Sequence, residues 1–178
     1  LLRAVVERLT SESAVDTPEL PSLIRALADQ GQVEASFAIE SMSGVLPNLA
    51  TALPRMVADV DEIRGLSAAI SEMFRLASLE RLWMSPDTYR KVRETSERYQ
   101  SAACPGWGGL IDLLDAMNQV ILDLSAVSGL IHDGMIRGPA WHVMDMGRRI
   151  ERVRDTASLL RSLLVNQTRL ERPVLRAL

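Results

Sequence analysis

The residues whose types and spacing could do chemistry gather near the C-terminal end, in Trp141-His142-Val143-Met144-Asp145-Met146-Gly147-Arg148-Arg149-Ile150-Glu151-Arg152. Here a carboxylate stands among guanidinium groups at helical spacing. Arg148 and Arg154 each lie three positions from Glu151, and Asp145 can reach Arg148 or Arg149. If Glu151 is partly buried and meets an arginine from another helix, the pair is a locked ion pair; alternatively Arg148 and Arg152 present a fork to an anionic ligand or partner. The plainer outcome is a ladder of surface ion pairs, each weak. A rival from another class is an enzyme acting on amide bonds, with Glu151 as acid or base and Arg148 or Arg152 holding a carboxylate. That chemistry needs a cleft beside Glu151 and a raised carboxyl pKa.

Elsewhere the chemistry is sparse. His132 and His142 are the only histidines and lie ten apart across a Gly-Pro turn, without Cys or acidic residues at metal-ligand spacing. No metal site or cofactor is expected. Cys104 is the only cysteine and has no histidine nearby to activate it, so a loop thiol is expected. No nucleophile elbow, phosphate loop or dinucleotide fingerprint occurs. Gly106-Trp107-Gly108-Gly109 is rich in glycine but follows no strand, and Trp107 is expected to close one end of a bundle. No catalytic residue is assigned.

The elements that must position these residues read as helices. Leu1, Leu2, Val5, Val6 and Leu9 repeat at helical spacing with no capping residue before them, as if the chain begins inside a helix. Leu20 to Leu27 forms a short helix that Gly31 can end, and a second short one is expected around Val33 to Ile39. Gly44, Pro47 and Asn48 are expected to break the chain, with helix resuming from about Leu49 to Met84 as two helices meeting near Gly65 or one bent helix. Ser85-Pro86-Asp87 is a start signal: hydroxyl cap, proline at the first position, acid at the positive end of the dipole. The helix that follows pairs Asp87 with Lys91, Arg90 with Glu94, Arg93 with Glu97 and Glu94 with Arg98, four apart. Leu110 to Ile131 carries so wide an apolar arc that it must be central, and Pro139 opens a last helix that could reach Glu171. On that helix Val143, Met146, Ile150, Val153, Ala157, Leu160 and Leu164 form one stripe, expected to face the core, with Gly147 and Glu151 at its edge. Glycine there would let a neighbouring helix approach closely.

Composition sets the outer limits. The 178 residues are 47% hydrophobic but 4% aromatic, which with few β-branched runs favours an all-α fold: a single domain over 1–178, a bundle of about five to seven helices with a long C-terminal helix. A net charge of -3 gives no basic footprint for nucleic acid. One cysteine excludes a disulfide framework. Neither a secretory leader nor about 18 consecutive apolar residues appears, so no membrane span and a cytoplasmic location are expected.

The segment from Trp141 to Arg152 resembles the second signature of the bacterial α-E domain, an α-helical family named for its Glu-Arg motif. Trp141, Gly147-Arg148 and Glu151-Arg152 carry the resemblance, with Met135-Ile136-Arg137 before them and a weaker match at Val60 to Ser67 that includes Arg64. It implies a motif or ligand- and partner-binding set of Trp141, Gly147, Arg148, Glu151, Arg152 and Arg64. The family carries a similar Gly-Arg and Glu-Arg helix near its N-terminus, so the resemblance implies a fragment lacking its first helix. Apolar surface left by that absence could drive homodimerisation. Family members occur beside or fused to circularly permuted ATP-grasp proteins and transglutaminase-like proteins. The implied role is a non-catalytic accessory or interaction domain serving an ATP-grasp amide or peptide ligase, in cis or in trans. A regulatory helical bundle is a third expectation, one that would want acidic metal-binding spacings not found here.

Overall fold

Ser85 Oγ accepts the Thr88 N–H at 3.1 Å, filling one of the donors that a helix start leaves without an intrahelical partner. Proline at the next position needs no N–H, and the helix runs Pro86–Ala103. The computed structural model describes residues 1–10, 20–30, 42–58, 65–103 and 107–164. Within them seven α-helices follow one another: α1 (Leu2–Thr10), α2 (Leu20–Asp29), α3 (Met42–Ala58), α4 (Leu66–Leu79), α5 (Pro86–Ala103), α6 (Leu110–Gly134) and α7 (Pro139–Leu164), with a 3-10 turn at Arg81–Trp83. No strand occurs among the described residues, so the all-α expectation holds.

α5 lies along both α4 and α6, α1 packs on α6 and α2, and α3 touches α6 and α4. The interior has one main cluster. Val5 and Val6 of α1, Leu20, Leu23, Ile24 and Leu27 of α2, Leu49 and Leu53 of α3, and Leu113 of α6 are essentially without solvent exposure. A second cluster joins Ile70, Tyr99 and Val120, a third Ala77, Val92 and Val127. Each fully buried aliphatic side chain contributes roughly 1.5–3 kcal/mol, against well under 1 kcal/mol for an exposed ion pair. The apolar seams, not the charge lacing, hold α5 in place. α7 meets this body chiefly through α2, where half-buried Leu159 packs against the main cluster.

Two expectations are corrected. Gly44, Pro47 and Asn48 do not break the chain: α3 begins at Met42 and carries Pro47 and Pro54 within it. Each proline removes one backbone hydrogen bond, and burial of Leu49, Leu53 and Val57 in the core offsets that cost. Nor does α5 pair its charges only along its own surface. Arg90 and Arg93 do reach Glu94 and Glu97, at 3.9 and 3.5 Å, but Lys91 and Arg98 both turn to Asp123 on α6. The expected short helix at Val33 to Ile39, Gly31, Cys104, and the reach of the last helix to Glu171 fall outside the described residues. No helix among those described is long and apolar enough to cross a membrane.

Candidate functional site

Helix geometry places residues nine apart on opposite sides of a helix, about 180° from each other, and α7 shows which side the protein buries. Leu159 faces the core; Ile150, nine residues earlier, is 60% exposed. Val143 at 64%, Met146 at 55%, Val153 at 68% and Leu160 at 40% are exposed with it. The expectation that this stripe faces the core is therefore overturned. The reason is positional, because a stripe is buried only where a neighbouring element lies over it, and α2 lies over the opposite side near Leu159.

The charged motif sits accordingly. The Arg148 side turns toward α6, and its Nη2 donates to Ser128 Oγ at 2.7 Å. Arg149 pairs with Asp145 at 2.7 Å. Glu151 is 71% exposed and, among the described residues, meets Arg154 alone, at 3.9 Å. Arg152 makes no hydrogen bond or ion pair among the described residues. Gly147 has open space where a side chain would begin, so no neighbour among the described residues crosses there. Trp141 is half-buried, edge-on to His142 at 5.2 Å and with the Arg137 guanidinium 5.7 Å from its ring centre. Arg64 lies outside the described residues. The structure thus keeps Trp141, Gly147, Arg148, Glu151 and Arg152 on one helix but does not lock Glu151 to an arginine of another. Among the described residues no wall encloses Glu151, whose side chain is 71% exposed.

A second constellation was not singled out by its sequence. Asp123 of α6 is 4% exposed, and its oxygens accept bonds from Lys91 Nζ at 2.7 Å, Arg98 Nη1 at 2.7 Å and Gln119 Nε2 at 3.2 Å. Burial pushes its carboxyl pKa up, but the bonds from Lys91 and Gln119 and the charges of Lys91 and Arg98 together outweigh burial and hold it below the usual value. Beside it Tyr99 donates to the Val57 carbonyl at 3.1 Å and lies 3.2 Å from Ser67 Oγ, which itself reaches the Val57 and Ala58 carbonyls. This knot satisfies carbonyls in the last described turn of α3, and burial lifts the Tyr99 phenol to about 12. The signal that could have revealed Asp123 is its register: it falls three after Val120 and four before Val127, both buried, so an acid there had to find cations.

Between α5 and α6 these groups border a cleft of about 360 Å³, whose lining includes Arg98, Tyr99, Trp107, Asp112, Asp115 and Val120. Trp107 stands edge-on to Tyr99 at 5.6 Å, between the first and second clusters. Its indole N–H is buried without a hydrogen-bond partner among the described residues. Asp112 is anchored by the Gly108 N–H at 3.1 Å, and a side chain on Gly108 would press to 2.8 Å from that carboxylate. No group of three or more metal-ligating side chains occurs among the described residues.

A family model described as a predicted alpha-helical domain with a conserved ER motif matches residues 1–178. No curated protein and no solved structure matches. Five Glu-Arg dipeptides occur, beginning at Glu7, Glu80, Glu97, Glu151 and Glu171, and of these only Glu151-Arg152 follows a Gly-Arg pair by four residues.

Proposed function

This chain belongs to the Alpha-E family over its whole length, and from that premise we propose that it is a non-catalytic docking module for a circularly permuted ATP-grasp amide or peptide ligase, borne in cis or in trans. The observation that carries the reading is the outward apolar stripe of α7, Val143, Met146, Ile150 and Val153, each more than half exposed. Exposed apolar side chains at heptad-like spacing form a seam for an incoming helix or groove. Gly147 leaves room for close approach. Glu151, Arg152 and Arg154 border the seam with charges free or only weakly held, suited to set register and exclude wrong partners more than to supply affinity. The class of partner comes from the family resemblance; the geometry supplies the surface. A transglutaminase-like protein is the second candidate partner.

The test is sedimentation of the chain alone and mixed with the ATP-grasp protein of its own genome. Wild type forms a complex, and Ile150→Asp with Val153→Asp weakens it by roughly a hundredfold, the loss of two desolvated apolar contacts. Equal affinity of wild type and variant, or a stripe consumed by self-association, contradicts the reading.

A further inference from the structure

We infer that the seam of α7 takes an amphipathic helix with acidic flanks and turns away a second copy of this chain, an assignment that rests on the docking reading of that seam. Val143, Met146, Ile150, Val153, Ala157 and Leu160 recur alternately three and four apart, the repeat that a helix laid alongside can match. All six are exposed. At about 100° per residue, every Asp, Glu, Lys or Arg within about 90° of the centre line of this row is an arginine: Arg149 on one side, Arg154 and Arg161 on the other. Asp145, Glu151 and Asp155 lie farther round. They hold Arg149 at 2.7 Å and Arg154 at 3.3 and 3.9 Å, yet both arginines stay largely exposed, and a guanidinium keeps donors beyond those so used. Arg161 has no ion pair among the described residues. Charges flanking an apolar seam select the partner. When two copies pair through this row, parallel or antiparallel, the rims bring arginine to arginine or to an uncharged residue, never to a carboxylate. Glutamate or aspartate on the flanks of another helix meets all three arginines, and Gly147 leaves room for its backbone. A bilayer fits less well, because an interfacial helix spreads cations over its polar face, and the face behind this rim carries three carboxylates.

The experiment titrates the full chain, by calorimetry, with two synthetic peptides of about three heptads that share an isoleucine and leucine seam, one with glutamate and the other with lysine at every flanking position. The glutamate peptide is expected to bind roughly tenfold more tightly or better, a gap that closes severalfold in molar salt. Arg149→Glu, Arg154→Glu and Arg161→Glu together, all exposed substitutions, reverse the order with circular dichroism unchanged. Ile150→Asp removes the binding of both peptides, and the wild-type chain alone sediments as a monomer. Equal binding of the two peptides that Ile150→Asp still abolishes overturns the charge assignment while the docking reading stands. Peptide binding untouched by Ile150→Asp, a wild-type dimer held through α7, or capture on phosphatidylglycerol vesicles that Ile150→Asp abolishes overturns both. Binding of neither peptide at about 0.1 mM overturns the acidic-helix assignment.

Discussion

Ile150 and Leu159 occupy opposite sides of α7, and it is Leu159 that meets the core while Ile150 stands 60% exposed. The helix bearing the Glu-Arg motif is thus held from behind by a short contact and offers its apolar seam outward. Protein surfaces carry single exposed apolar residues freely, but a contiguous row marks an interaction site.

That orientation fixes how the two residues respond to change. Ile150→Asp is expected to alter unfolding free energy by no more than about 0.5 kcal/mol, as at other exposed positions. Leu159→Ala is expected to cost about 1–2 kcal/mol, less than a fully buried leucine because it is only half-buried. Urea unfolding followed by circular dichroism separates the two. A large loss at Ile150 would mean that its side faces the interior.

Asp123 is the polar anchor of the α5–α6 seam. Asp123→Asn keeps the shape but leaves Lys91 and Arg98 facing each other without their anion, and should lower stability by about 1–3 kcal/mol. Because the fold holds this carboxyl below its ordinary value of about 3.9, the unfolded chain takes up the proton first as pH falls. The stabilisation is complete above the unfolded carboxyl range and declines as pH drops toward the folded value. Unfolding measured between pH 3 and 6 should therefore show a steeper acid loss in wild type than in Asp123→Asn.

Tyr99 gives the alkaline counterpart. With the folded phenol at about 12 and an ordinary value near 10, the neutral form is favoured by the fold. Its contribution is intact below about pH 10 and lost as pH rises through about 12. Phenolate absorbance should show a late step that Tyr99→Phe removes, and the variant should lose about 1 kcal/mol at neutral pH with its bond to the Val57 carbonyl.

The helices were legible where local signals act alone. Ser85-Pro86 caps α5, Pro139 opens α7, and the breadth of the apolar arc in α6 matches its central place. Position in three dimensions was less so. The stripe of α7 reads the same in sequence whether a helix covers it or not, and α2 happens to lie on the Leu159 side. Pro47 reads as a break because its local cost is visible in the sequence while the burial of Leu49 and Leu53 is not. Asp123 was hidden for a related reason: its cations, 32 and 25 residues earlier in the chain, come near only once α5 lies along α6.

The central claim is that the outward seam of α7 is where the ligase docks. A photo-crosslinking amino acid at position 150, with one at exposed Glu97 on α5 as comparison, tests it at the contact itself. The account predicts covalent capture of the ATP-grasp protein from position 150 and not from position 97. Capture from position 97 alone, or from neither while the complex demonstrably forms, would contradict it.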